Sequence, residues 1–265
     1  MKQIEKPKIR IRGLSKAFGS NQVLRNINMD VASGTSFVVV GGSGSGKSVL
    51  LRCLLGLMQP DSGSIEIDGQ DITKLPNAQR SEKLEQMGML FQNSALFDSL
   101  PVWENVGFAL LNGHLRKRKR LSRSEIYAKA SKGLELVGLN PLKVAHLYPD
   151  ELSGGMQKRV GLARAIVSEP EIILFDEPTT GLDPIMGAVI DGLIKNCVDT
   201  LGSTAIAITH DMASAQRIGD QVAMLYQGEL IWQGKAQDLM TSDNPYVHQF
   251  THGLMQGPIK IETKV

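Results

Sequence analysis

Hydrophobic and polar residues follow three patterns along the 265-residue chain. Residues 9–12 and 24–31 alternate with a period close to two, which predicts strands with one buried face. Residues 37–40, 172–175 and 204–209 are short, almost continuously apolar runs. Such runs are typical of parallel strands that are covered on both faces. The first two patterns therefore predict an α/β fold that is built on buried strands.

The third pattern is helical and extends from about residue 98 to residue 168. Apolar faces recur there over residues 104–111 and 126–137, and Gly138 stops the second one. The remaining segments predict further strands over 64–69 and 88–92, a hairpin over 222–232 and two short helices after residue 236. Neither an internal repeat nor a low-complexity linker interrupts the sequence.

The composition is that of an ordinary globular protein. Hydrophobic residues make up 42% and charged residues 21%, and the net charge of +2 demands neither a nucleic acid nor a membrane as partner. Cys53 and Cys197 lie in helix-like segments without metal-ligand spacing, which predicts buried, reduced thiols in a cytosolic protein. The polar N-terminus has no signal core, and no run approaches the roughly 18 apolar residues of a membrane helix. We therefore expect another chain to span the bilayer if this protein serves a membrane.

A glycine-rich loop between an apolar strand and a helix carries the strongest chemical signal. It fits the pattern G-x-x-x-x-G-K-[ST], in which backbone N–H groups, a helix N-terminus and a lysine surround phosphate groups. The lysine would reach the β- and γ-phosphates, and the final serine would offer its hydroxyl to Mg²⁺. The residues that we expect to contact a nucleotide here are Gly41, Gly42, Ser43, Gly44, Ser45, Gly46, Lys47, Ser48 and Val49.

Two carboxylates follow another buried strand, at the end where α/β sheets bind their ligands. Asp176 can hold Mg²⁺, usually through water, and Glu177 can accept a proton from an attacking water. His210 follows a strand of the same type, so a contact with the γ-phosphate is credible, although a histidine at a strand end is more often structural.

Two further positions allow more than one interpretation. Phe18 precedes the phosphate loop and could stack on an adenine, although a single phenylalanine between strands more often belongs to the core. Ser153, Gly154 and Gly155 precede a helix, so they form either an ordinary N-terminal turn or a second anion-binding arrangement with free N–H groups.

These residues resemble the ATP-binding subunits of ABC transporters, and the resemblance covers nearly the whole chain. Residues 41–48 resemble the Walker A loop, 152–156 the signature loop and 172–176 the Walker B strand, in the family's order. The resemblance implies ATP and Mg²⁺ as cofactors. It also implies an α/β P-loop NTPase fold with a RecA-like core, an antiparallel β subdomain and a helical subdomain.

The same resemblance implies the organisation of the chain and the roles of single residues. The core and β subdomain would comprise residues 1–97 and 169–243, the helical subdomain 98–168 and a C-terminal tail 244–265. Glu177, His210 and Gln92 would be the catalytic residues, and Mg²⁺ would contact Ser48, Gln92 and Asp176. The nucleotide contacts outside the phosphate loop would be Phe18, Ser153, Gly154, Gly155 and Asp183.

The family mechanism implies two copies of the chain paired head to tail. Each ATP would lie between the phosphate loop of one copy and residues 153–155 of the other. Binding would close the pair and hydrolysis would reopen it, and the helical region after Gln92 would pass this motion to an integral membrane permease. We therefore expect a peripheral protein on the cytoplasmic face of the inner membrane.

Within this family, three segments are similar to the ATPases of Mla and related MCE-type phospholipid transporters. They are residues 90–100, residues 152–156 and residues 244–250, and Met156 stands where the usual signature has glutamine. The similarity implies phospholipid as cargo, an MCE-domain protein and a small STAS-domain subunit as further partners. Residues beyond about Tyr246 would contact the second copy or the STAS subunit.

Two other functions remain open at the level of the sequence. An importer ATPase for a small polar solute would share every nucleotide residue and differ only in its partner and cargo. A soluble ABC-type ATPase that acts on nucleic acid is suggested only by the basic run 116–120, which is usually a solvated loop. The run has no interleaved aromatic residues, so we expect no specific nucleic-acid partner.

Overall fold

The computed structural model describes residues 6–112 and 121–260 of the chain. The basic run 116–120 lies outside the described residues. The described residues form two sheets, and one of them is antiparallel, with the strand order β2-β1-β4-β5. Its strands are β1 (Ile9–Phe18), β2 (Asn21–Val31), β4 (Ser62–Ile67) and β5 (Gln70–Asp71). The period-two segments thus form an antiparallel sheet, and both strands are longer than their patterns predict.

The second sheet has six strands in the order β10-β9-β3-β8-β7-β6. All neighbours in it pair in parallel except β10, which is antiparallel to β9. Its strands are β3 (Ser36–Val40), β6 (Met87–Leu90), β7 (Ile172–Asp176), β8 (Thr204–Thr209), β9 (Gln221–Tyr226) and β10 (Glu229–Lys235). Every residue of β3 and β8 is buried, as their continuous apolarity predicts.

The helices of the described residues pack on this sheet and on one another. They are α1 (Lys47–Leu54), α2 (Asn77–Leu84), α3 (Val102–Val106), α4 (Phe108–Leu111), α5 (Arg123–Leu136), α6 (Pro141–Val144), α7 (Gly154–Ile166), α8 (Pro184–Leu201), α9 (Met212–Ile218) and α10 (Pro245–Thr251). Several start at side-chain caps that accept backbone N–H groups. Ser153 caps α7, Asp183 caps α8 and Asp211 caps α9.

The structure divides one predicted helix and shortens one predicted strand. The helix predicted over 104–111 is divided into α3 and α4 at Gly107, where the added Cβ of any other residue would lie 2.7 Å from Ile126 Cγ2. The strand predicted over 88–92 ends at Leu90, because the pairing of β6 with β7 ends there and the chain then turns.

The two predicted thiols are free and buried, Cys53 in α1 and Cys197 in α8. Burial raises the pKa of each thiol to about 11, so both are protonated and unreactive at neutral pH. The predicted hairpin is present as β9 and β10, and the predicted tail helices are a single 3-10 turn at Ala236–Asp238 followed by α10.

Candidate functional site

The phosphate loop leaves the C-terminal end of β3 and enters α1 at Lys47. Glycine is required at two of its positions. A Cβ at Gly41 would lie 2.3 Å from the carbonyl oxygen of Leu225, and a Cβ at Gly46 would lie 2.8 Å from that of Val23. Gly46 also has a φ of 110°, which strains any other residue. Strands β2 and β9 thus hold the loop closely from both sides.

Lys47 connects this loop to the carboxylates at the end of β7. Its Nζ donates to the carbonyl oxygens of Gly41 at 2.7 Å and Gly42 at 3.1 Å, and it lies 3.7 Å from Glu177 Oε1. Only 7% of the side chain is exposed. Burial lowers the pKa of the Lys47 ammonium, and the charges of Glu177 and Asp176 oppose that shift.

Asp176 is the last residue of β7, at the same edge of the sheet as the phosphate loop. Burial, and then the neighbouring Glu177, raise the pKa of its carboxyl group. Among the described residues, no hydrogen-bond donor contacts this carboxylate within bonding distance. It is therefore a half-buried anion with capacity for a cation or a water molecule.

Glu177 and His210 are in direct contact. The Glu177 backbone has a φ of 47°, and its N–H donates to the carbonyl oxygen of Ile208 in β8. Its Oε2 lies 2.6 Å from His210 Nδ1 and accepts from the Thr180 hydroxyl at 3.0 Å. These contacts fix the carboxylate beside Lys47, where it can accept a proton from a water molecule.

The residues at this edge fit a Mg²⁺–nucleotide. Ser45 Oγ is buried without a hydrogen-bond partner in the described part of the chain, Ser48 is exposed on the first turn of α1, and no side chain caps that helix. A cavity of about 170 Å³ is lined by Val23 and residues 44–49. Unpaired donors at a helix N-terminus bind phosphate.

No cluster of three or more His, Cys, Asp or Glu residues that could hold a metal occurs in residues 6–112 and 121–260. Mg²⁺ is usually bound by one or two carboxylates together with substrate phosphates.

The second small-residue loop lies at the exposed start of α7. Ser153 Oγ accepts from the Met156 N–H at 3.4 Å, and Ser153 and Gly154 are exposed. Asp183 caps α8 by accepting from two backbone N–H groups, and a Cβ at Gly155 would lie 3.2 Å from Met186 Sδ, so the two loops are adjacent. Within the described residues, no hydrogen bond or ion pair joins Ser153 to the phosphate loop.

Among the described residues, no hydrogen bond or ion pair joins Phe18 or Gln92 to Lys47, Asp176 or Glu177. The Phe18 ring is 49% exposed at the end of β1, with Lys16 Nζ 5.8 Å from its centroid, so it is not a core residue. Gln92 is exposed, and its carbonyl oxygen accepts from Lys158 Nζ. The sequence reasoning missed Val23 and Thr180, since strand pairing and chain reversal bring them to the site.

Comparisons with known proteins agree with this geometry. A family model described as "ABC transporter" matches residues 24–180. The probable ribonucleotide transport ATP-binding protein mkl of Mycobacterium leprae is 40% identical over 95% of this chain and 70% of its own length. The intermembrane phospholipid transport system ATP-binding protein MlaF of Haemophilus influenzae is 37% identical over 96% of this chain and 94% of its own length.

The fold also agrees with solved structures. A dimeric ATP-binding cassette in a post-hydrolysis state with ADP and Pi has a TM-score of 0.75 and 30% identity to this chain. The matched region covers 86% of this chain and 98% of the solved chain. None of the helices in the described residues has the length and apolarity to cross a membrane. The family match, the similar relatives and the phosphate loop lead to one conclusion: the chain belongs to the ABC transporter family and is an ATP-binding, ATP-hydrolysing subunit of a transporter.

Proposed function

We propose that this chain energises the movement of phospholipid between membranes. The observation that carries the proposal is the extent of the match with the intermembrane phospholipid transport protein MlaF, which includes 96% of this chain and 94% of that protein. The match therefore includes almost all residues of both proteins, whereas the relative named for ribonucleotide transport is matched over 70% of its length.

In this proposal the phosphate loop binds ATP through its backbone N–H groups, with Lys47 as the cation beside the β- and γ-phosphates. Ser48 and Asp176 would hold Mg²⁺, with Gln92 as a third contact, and Phe18 would stack on the adenine. A bound Mg²⁺ would neutralise phosphate charge. Ser48 and Asp176 suit that role because, among the described residues, no cationic group lies within hydrogen-bond distance of either side chain.

Glu177 would accept the proton of the attacking water. Its Oε2 is oriented by the 2.6 Å contact with His210 and the 3.0 Å bond from Thr180, and its Oε1 faces Lys47. A base that is held by two partners loses little orientation when the water arrives. His210 would also contact the γ-phosphate from its exposed side.

The exposed start of α7 supports a head-to-tail pair of chains. Ser153 and Gly154 are exposed, and no hydrogen bond or ion pair of the described residues joins Ser153 to the chain's own phosphate loop. In this proposal residues 153–155 therefore complete the nucleotide site of a second copy, with Asp183 beside them. The similar solved cassette is a dimer. The pair would drive an integral permease at the cytoplasmic face of the inner membrane, with an MCE-domain protein and a small STAS-domain subunit as further partners.

A polar solute is the second candidate for the cargo. The name of the mkl protein, probable ribonucleotide transport, favours it, and the nucleotide site would be the same in both cases. Because the same nucleotide site would serve either cargo, the bound lipid must be measured directly.

The test is affinity capture of the chain from detergent-solubilised membranes of cells that express its natural partners, followed by mass spectrometry of proteins and lipids. Cells with the untagged chain are the matched control. We expect a permease, an MCE-domain protein and enriched phospholipid. A permease without phospholipid enrichment would refute the lipid proposal, and salt-sensitive capture of RNA or DNA would indicate the nucleic-acid alternative.

A further inference from the structure

The loop between β6 and α3 has a strained backbone next to Gln92. Ser94 and Ala95 have φ values of 57° and 47°, in the left-handed region that non-glycine residues seldom occupy. Ser94 is buried, with 2% of its surface exposed. Two successive residues in this region persist only where surrounding contacts hold them.

The contacts come from one face of α7. The Arg164 guanidinium donates to the carbonyl oxygens of Ser94 at 2.5 Å and Ala95 at 2.7 Å. In the described part of the chain no carboxylate pairs with Arg164, and burial lowers the pKa of its guanidinium. The charge of this side chain is therefore compensated mainly by the dipoles of the two strained peptide groups.

Two other residues of α7 act on the same loop. Lys158, whose surface is 6% exposed, donates from Nζ to the Gln92 carbonyl oxygen. A Cβ at Gly161 would lie 2.9 Å from Leu90 Cδ1 and 3.2 Å from Ser94 Cβ, so the glycine allows α7 and the loop to pack closely against each other. Lys158, Gly161 and Arg164 follow one another at intervals of three residues, so they share one helix face.

The same helix begins at the exposed second loop, where Ser153 is its cap. An α-helix of 13 residues moves as a rigid element, so a shift of its N-terminus is transmitted to the residues that its side chains hold. Lys158 lies about one turn from Ser153, and Arg164 lies near the other end.

We propose that Lys158 and Arg164 are positioning residues that join α7 and residues 92–95 into one rigid unit. In this way contact of Ser153 with a second copy would set the position of Gln92 beside Mg²⁺ in the first copy. The coupling rests on the proposed paired site and on the proposed metal contact of Gln92. The rigid unit itself rests only on the hydrogen bonds and backbone angles given above.

The experiment compares Lys158→Met and Arg164→Lys with wild-type full-length chain. Lys158→Met keeps the aliphatic stem but removes the donor, and Arg164→Lys keeps the charge but removes the two-pronged geometry. Lys132→Met on α5 is the matched control, because it removes an exposed lysine from a helix that packs on α7. Thermal unfolding confirms that each variant is folded.

Hydrogen exchange of the amides of residues 92–96 is the first measurement. We expect faster exchange there in both variants and unchanged exchange in Lys132→Met, since the loop loses the contacts that hold its conformation. Restoration by Lys158→Arg would support a positioning role. Unchanged loop exchange in both folded variants would overturn the proposal.

The Mg²⁺ dependence of ATP hydrolysis is the second measurement. We expect the Mg²⁺ concentration for half-maximal rate to rise by about tenfold or more, as for loss of an outer partner of a metal ligand, while nucleotide affinity without Mg²⁺ stays unchanged. Faster loop exchange with an unaltered Mg²⁺ requirement would refute the coupling to the metal. Neither readout involves lipid or permease, so failure here is distinct from failure of the proposed cargo.

Discussion

Replacement of Glu177 by glutamine is the most informative single perturbation of the site. The amide has the size of the carboxylate, so its oxygen, placed where Oε2 lies, can still accept from the Thr180 hydroxyl and from the Nδ1–H of His210, which lie 3.0 Å and 2.6 Å from Oε2. What the variant loses is the basic oxygen. Its fold and its phosphate loop should therefore remain as in the wild type.

The expected loss follows from the role of a general base. Positioned proton acceptors contribute roughly 10²- to 10⁴-fold to a rate, which corresponds to about 3 to 5 kcal/mol of activation free energy. We expect Glu177→Gln to lower kcat by this factor. Nucleotide binding should persist because the loop glycines and Lys47 are unchanged, and the paired form of the chain should accumulate with ATP.

The assay is phosphate release at saturating Mg²⁺ and ATP, with nucleotide affinity measured separately by fluorescence titration. Glu171→Gln is the matched control, because the two glutamates flank opposite ends of β7. Glu171 precedes the strand and pairs with Lys8, whereas Glu177 follows it. That variant should retain wild-type turnover. A Glu177→Gln rate within about tenfold of wild type would refute Glu177 as the base.

Three further substitutions test separate parts of the account. Lys47→Ala should weaken ATP binding by roughly 10- to 100-fold, because it removes charge-assisted hydrogen bonds worth about 1.5 to 3 kcal/mol, and unchanged affinity in a titration would contradict the phosphate site. Gly88→Ala should lower the free energy of unfolding by about 1 to 3 kcal/mol, because the added Cβ would lie 2.1 Å from the Ala165 carbonyl oxygen. Gly192→Ala is the control, because a Cβ there meets open space, and it should be neutral or stabilising in the same denaturation experiment. Burial raises the pKa of Asp191 above its ordinary 3.8, so the folded state binds its proton more tightly than the unfolded state does. The stability of the wild type relative to Asp191→Asn should therefore fall as the pH rises from about 4 through the folded pKa and then level off, and a difference that grows with pH would contradict this.

Much of the site could be predicted from the sequence because its elements are local. The phosphate loop, the carboxylates at the end of β7 and the capped start of α7 each depend on a few consecutive residues whose types are dictated by backbone geometry. Continuous apolarity identified β3 and β8 for the same reason, since a strand that is covered on both faces has few polar positions.

Other features depend on distant residues and left no pattern in the sequence. Helix α2 has no buried residue, so no apolar period marks it. The ring of Phe250 in α10 lies 4.0 Å from the place that a Cβ on Gly42 would take, a contact between the tail and the phosphate loop that only the fold creates. The bonds from α7 to residues 92–95 also join segments about 70 positions apart, so spacing could not reveal them.

We propose above that ATP hydrolysis at this site moves phospholipid. Its most direct test is transfer of a labelled phospholipid between vesicles, with the captured complex reconstituted in one population and either wild-type or Glu177→Gln subunit present. We expect transfer that requires Mg²⁺ and ATP and is lost with the variant. Transfer at the same rate without ATP would contradict it, as would ATP-driven uptake of a polar solute with no movement of lipid.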